Sequence, residues 1–112
     1  MADTINNAVT IALGASLSGA LYVGEKIAVG ILMPAAGWDA AALTFLASVD
    51  GQNFSSVYDS SGNELTVQVA ASRYIYLDPT AFVGVNQIKV RSGTSAAPVN
   101  QTAARALTLV TR

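Results

Sequence analysis

The chain has 112 residues, with no histidine, no cysteine, a formal net charge of -1 and only 12% charged residues. It therefore lacks the usual proton shuttle near neutral pH, the thiolate nucleophile and the two best transition-metal ligands, so we expect no enzyme activity, no cofactor and no metal site. The low charge provides no basic surface for phosphates, and nucleic acid is not an expected partner.

The first residues give no sign of a targeting signal. Residues 1–8 have no basic start, and no later segment has about 18 uninterrupted apolar residues, so we expect neither a signal peptide nor a membrane partner. Because residues 1–8 contain little that would fold alone, they are predicted to form an N-terminal arm that crosses a neighbouring subunit, or else a frayed end. Residues 9–112 are predicted to form one domain.

Alternation of apolar with small or polar residues predicts a series of short strands beyond the arm. The predicted strands cover about 8–13, 20–23, 26–33, 43–49, 54–58, 65–70, 73–77, 86–91 and 102–111. Asp39 is placed to cap a short helical turn over residues 40–42. Eight or nine strands separated by turns predict an all-β fold, an antiparallel β-sandwich or barrel.

Two reversals follow one another near the middle of the chain, at Asp50-Gly51 and over residues 59–64. Aspartate accepts hydrogen bonds from its own turn and glycine supplies a positive φ, so turn chemistry explains both reversals. A calcium site at Asp50, Asp59 or Glu64 is the alternative, although their spacing does not match a helical-hand loop.

Four segments together resemble the small β-sandwich proteins of tailed-phage virions. They are Ser48-Val49-Asp50-Gly51-x-x-Phe54, Tyr58-Asp59-x-x-Gly62, Leu77-Asp78-Pro79 and the stretch from Ile88 to Thr94. The resemblance covers about residues 27–112 and implies a jelly-roll sandwich that serves as a virion structural protein. A capsid decoration or cement protein is preferred, binding the major capsid protein or another virion protein as a homo-oligomer, in a virion assembled in the host cytoplasm.

Two other functions stay open. The first motif also occurs in galactose-binding-like jelly rolls and discoidin-type modules, which implies a carbohydrate-binding or fibre module with a glycan ligand. Discoidin-type modules usually carry a disulfide pair, and this chain has no cysteine. A tail or head-tail connector component is the third possibility, and copy number in the particle distinguishes it from a decoration protein.

Seven residues are candidates for the partner interface. They are Ile5, Tyr22, Trp38, Tyr74, Tyr76, Arg91 and Arg105. Tyr74 and Tyr76 share a strand face, either in a buried interface or as an exposed aromatic ladder. Trp38 is either a lid over one end of the sandwich or a sugar platform. Arg91 and Arg105 either dock on an acidic capsid surface or lie on solvated strand faces that protect sheet edges.

Overall fold

The computed structural model describes residues 4–112, and over that range the chain forms eight strands and one short 3₁₀ helix, Pro79–Phe82. The strands are β1 (Ile5–Ile11), β2 (Leu21–Tyr22), β3 (Ala28–Leu32), β4 (Leu43–Ser48), β5 (Ser55–Ser56), β6 (Tyr74–Tyr76), β7 (Gln87–Ser92) and β8 (Arg105–Thr111). The all-β, sandwich-like class is confirmed. In the described part of the chain no helix has the length and apolar character needed to cross a membrane.

The strands form two four-stranded sheets in which every pairing is antiparallel. The first sheet has the order β1-β8-β3-β6 and the second has the order β2-β7-β4-β5. The edges of the first sheet are therefore β1 and β6, and those of the second are β2 and β5. A register shift between Ala28 and Gly30 interrupts the pairing of β3 with β8.

A single core of alternate strand residues lies between the two sheets. Its most deeply buried large side chains are Ile11, Ile31, Leu43, Phe45, Phe82, Ile88, Leu107 and Leu109. The rings of Phe45 and Phe82 meet edge to face, with centroids 5.3 Å apart. Because Phe82 ends the 3₁₀ helix, this short element anchors the chain between β6 and β7 to the core.

The first strand begins earlier than the sequence predicts. Residues 5–8, predicted as part of the arm, belong to β1 and pair with β8, while residues 1–3 lie outside the described part of the chain. The Asn7 side chain donates to the Leu109 carbonyl at 2.9 Å and to Thr111 Oγ1 at 3.1 Å. Backbone pairing requires no apolar side chain, so the polar residues of this segment did not indicate the strand.

Two other local predictions are wrong. Residues 65–70 form no strand, because Val67 meets Leu43 only in an isolated bridge with N–O distances of 2.9 Å in both directions. Residues 40–42 form no helical turn, because the Asp39 carboxylate accepts instead from the backbone of Thr102, at 2.8 Å. A long-range partner therefore replaces the predicted local cap.

The predicted reversal at Asp50-Gly51 is confirmed and joins β4 to β5. Asp50 Oδ1 accepts from the backbone N–H groups of Gln52 and Asn53, both at 2.8 Å, and Gly51 has a φ of 81°. These backbone hydrogen bonds hold the pKa of Asp50 well below its ordinary value. The carboxylate oxygens are thus engaged in the turn itself.

Candidate functional site

The outward side of the first sheet carries no charged side chain across its aligned rows. Residues directly opposite each other on neighbouring strands share a face. The rows are Asn6, Val110, Gly30 and Tyr76; then Ala8, Thr108, Leu32 and Tyr74; then Thr10 and Ala106. We call these residues the first-sheet face.

The composition of the first-sheet face is unusual for an antiparallel sheet. Such a sheet generally packs one side on the core and presents polar side chains to water on the other. Here Leu32 is 45% exposed, Tyr74 54% and Tyr76 82%, with alanine, valine and threonine beside them. Four strands about 4.8 Å apart and rows about 7 Å apart give a face of roughly 300 Å². The largest apolar patch on a typical single chain is ~300–600 Å² and is often functional, and this uncharged face, which also contains Asn6, Thr10 and Thr108, is of comparable extent.

The two tyrosines of β6 form an exposed aromatic pair within the first-sheet face. Ile75, between them, points to the opposite side of the sheet and packs against the core. The ring of Tyr74 lies across Gly30, where a Cβ would overlap the tyrosine hydroxyl. Glycine at this position therefore allows Tyr74 to lie flat on the sheet, while Tyr76 projects freely.

The outward side of the second sheet is charged and partly covered. Lys89 Nζ lies 4.4 Å from the centre of the Phe54 ring, which is a cation–π distance. Arg91 pairs there with Glu64, from the segment that follows β5. The two sheets therefore present chemically different sides, and only the first is free of charge over the rows described above.

Arg91 has its hydrogen-bond partners within the chain. Its Nη2 donates to Glu64 Oε2 at 2.7 Å and to Ser56 Oγ at 3.1 Å, while its Nε donates to Thr44 Oγ1 at 3.0 Å. The Arg91 side chain is 11% exposed and that of Glu64 is 13% exposed. This arrangement ties the segment around Glu64 to β4, β5 and β7. Arg91 does not lie on a solvated strand face.

Arg105 has an equivalent role at the start of β8. Its Nη2 donates to Asp39 Oδ1 at 2.8 Å and its Nε to Gln101 Oε1 at 3.0 Å. The backbone and side chain of Thr102, and then Arg105, lower the pKa of Asp39. The cluster fastens the loop before β4 to the loop before β8. Like Arg91, Arg105 has its Nε and Nη2 groups engaged inside the molecule.

The remaining interface candidates are dispersed. Trp38 is half-buried against the core and its Nε1 donates to the Ala41 carbonyl at 3.1 Å. Tyr22 is 67% exposed but belongs to the second sheet. Ile5 lies at the rim of the first sheet, opposite Thr111. Of the seven candidates, the structure brings together only Tyr74 and Tyr76 on one continuous face.

The acidic side chains of residues 4–112 form no cluster. No group of three or more acidic side chains there is placed to hold a metal ion. A surface depression of about 490 Å³ is lined partly by Asp59 and Asp78. Each of these carboxylates accepts hydrogen bonds within its own turn, from Ser61 and Asn63 or from Thr80. Both are therefore engaged in local structure.

Alternation in the sequence indicated parts of the first-sheet face but not the whole. The small outward residues of β1 and the shared face of Tyr74 and Tyr76 follow from the period of two. The outward residues of β1 and β6 belong to one surface only because β8 and β3 lie between these two strands. No local signal specifies that order. Comparisons with protein-family profiles, curated proteins and solved structures find no match to the chain.

Proposed function

We propose that the chain is a jelly-roll β-sandwich and serves as a structural protein of a phage virion, by preference a decoration or cement protein of the head. The strand order supports the jelly-roll proposal. A jelly roll is a long hairpin wound on itself, so its first strand pairs with its last and each inner pair is nested within. Here β1 pairs with β8, β2 with β7, β3 with β6 and β4 with β5.

The observation that carries the functional proposal is the uncharged first-sheet face on a compact sandwich. An uncharged, aromatic-bearing face that residues 4–112 leave uncovered suits contact with a protein surface. Its proposed occupant is the outer surface of assembled capsid protein. Tyr76, the most exposed large apolar side chain of the face, is expected to be a principal residue of the contact.

The proposed action is mechanical. A protein that binds the assembled shell, and not separated subunits, stabilises the shell by mass action. A face of roughly 300 Å² is smaller than the ~800 Å² per partner of a standard stable interface. Several copies acting together would compensate, because linked contacts raise the overall affinity.

The first test is the copy number of the chain in gradient-purified particles, measured by quantitative mass spectrometry against the major capsid protein. A number comparable to the capsid subunit supports a decoration or cement role. A few copies per particle would instead support the tail or connector alternative. Absence from the particle would contradict the virion proposal.

The second test uses two matched tyrosines. We expect Tyr76→Lys to weaken shell binding at least about tenfold, because it replaces a large aromatic contact with a charge. Tyr22→Lys changes the same residue type at an exposed position of the other sheet and should leave binding unchanged. Equal effects of the two substitutions would contradict the assignment of the first-sheet face.

A carbohydrate-binding module is the second candidate, favoured by the exposed pair Tyr74 and Tyr76. Calorimetric titration with galactose and other simple sugars tests it directly. Saturable heat that is lost in Tyr76→Ala and kept in Tyr22→Ala would favour this alternative over the virion proposal.

A further inference from the structure

The four sheet edges differ in how well they are protected against pairing with another strand. Edges in natural proteins are usually short, charged, bulged or interrupted by proline. β2 and β5 are two residues long. β6 has three residues, preceded by Arg73 and separated by Leu77 from Asp78-Pro79. β1 has seven residues, INNAVTI, with no charge and no proline, in unbroken register with β8. It is the one long unprotected edge among the described strands.

Hydrogen bonds at the end of β8 show which amide groups of β1 point away from the sheet. Arg112 exchanges two backbone hydrogen bonds with Ile27, at 2.9 and 3.0 Å, so its amide groups point toward β3. Backbone N–H and C=O groups point to alternate sides along a strand. Those of Thr111 therefore point toward β1, where Thr111 lies opposite Ile5. By the same alternation, Asn6 and Ala8 direct their N–H and C=O groups away from β8.

Nothing in the described residues covers this part of the edge. Asn6 and Ala8 are exposed, and the nearest other pairing on that side is the isolated bridge between Ile11 and Ser18. The free stretch thus runs over residues 5–9. It offers donors and acceptors in the alternating pattern that another extended strand matches.

We propose that β1 pairs antiparallel with β1 of a second copy of this chain, about a two-fold axis at Asn7. This axis places Asn6 of one copy opposite Ala8 of the other, so that both outward-directed residues meet their counterparts. Each of the two equivalent pairs exchanges two backbone hydrogen bonds. A two-fold contact of this kind is self-complementary and closes as a dimer.

Two features of the segment favour a second copy as the occupant. The segment has no charge, so two copies meet without like-charge repulsion, and the side chains at the contact, Asn6 and Ala8, are small. The pairing also continues the first sheet across the dimer. The two first-sheet faces then lie side by side, which doubles the uncharged area to roughly 600 Å². The inference does not rest on the proposed function, since it concerns the isolated chain.

Amide hydrogen exchange by NMR tests the pairing in the unmodified protein, alongside sedimentation. We expect the N–H groups of Asn6 and Ala8 to become protected as protein concentration rises from about 10 μM to about 1 mM, where weak dimers form. Asn7 and Val9, which point toward β8, should be protected at both concentrations. A chain that stays monomeric, or a dimer in which Asn6 and Ala8 exchange freely, would overturn the proposal.

Two variants locate the contact. Ala8→Pro removes an N–H that makes no hydrogen bond to β8, and edge strands tolerate proline at such positions. It should weaken the dimer about 100-fold, because two-fold symmetry removes two hydrogen bonds, each worth about a factor of ten. Ala106→Lys adds a charge to the same face on the interior strand β8 and should leave the dimer intact.

The reverse pattern, dissociation by Ala106→Lys with a full dimer in Ala8→Pro, would overturn edge pairing in favour of face-to-face contact. If the edge instead pairs with a strand of another protein, the purified chain stays monomeric in these experiments, which also overturns the proposal. Shell binding is measured separately, so failure of edge pairing and failure of the virion proposal are distinguishable.

Discussion

Replacing Arg91 with alanine should destabilise the fold, because this side chain joins three strands to the segment around Glu64. The substitution removes the 2.7 Å ion pair and the hydrogen bonds to Thr44 and Ser56. Removing one partner of a fully buried pair costs about 3–5 kcal/mol. Since Arg91 keeps 11% exposure and Glu64 13%, we expect about 2–3 kcal/mol.

For a domain of this size that loss corresponds to a decrease in Tm of about 10–15 °C. Urea unfolding followed by far-UV circular dichroism gives the free energy, and a double-mutant cycle with Glu64→Gln isolates the pair. Arg73→Ala is the matched control, since Arg73 is exposed, and it should change stability by less than about 0.5 kcal/mol.

The result also separates a structural role from a docking role. A loss below about 0.5 kcal/mol for Arg91→Ala would refute the reasoning, because it would place the pair among exposed ion pairs of little effect. Unchanged stability combined with lost shell binding would restore Arg91 as a docking residue. We expect the stability loss to dominate.

Two further predictions concern the core and the hairpin that joins β4 to β5. Phe82→Ala should lower the free energy of unfolding, measured in urea, by about 3–5 kcal/mol because Phe82 is 1% exposed. Val83→Ala, at the 65% exposed neighbour, should lower it by less than about 0.5 kcal/mol. Similar losses for both would contradict the placement of the 3₁₀ helix. Asp50→Asn should be less stable than the natural chain at pH 7. The folded pKa of Asp50 is depressed, so its contribution is complete above its ordinary value of 3.8 and is lost as the pH falls below it. Stability curves of the two proteins should therefore converge in acid, and a constant difference down to about pH 2 would exclude this origin.

Local patterns were sufficient for the class of fold and for most strands. Alternation over β3, β4, β7 and β8 reflects the packing of one side of each strand on the core, and Asp-Gly between β4 and β5 is explained by its own turn chemistry. Alternation alone did not separate a paired strand from a half-buried extended segment. Residues 65–70 alternate equally well but form a single isolated bridge, between Val67 and Leu43, and no strand.

Long-range partners account for what the sequence did not reveal. The local sequence predicts Asp39 as a helix cap, but its carboxylate accepts hydrogen bonds from Thr102 and Arg105, far along the chain. The sequence around Arg91 predicts an exposed charge, and the ion pair with Glu64 forms only because the fold places the two side chains together. The first-sheet face has the same origin, since its members share a surface only through the order of the strands.

The nested pairing of the strands has a consequence for the speed and order of folding. Only β4 and β5 are neighbours in the chain, and each successive pair outward joins more distant residues, ending with β1 and β8. Closing a longer loop costs more chain entropy, and folds dominated by distant contacts reach the native state in milliseconds to seconds. We expect the β4–β5 hairpin to form first and β1 to join last. Until β1 docks, the edge of β8 stays open, and a newly made chain is then most exposed to mispairing.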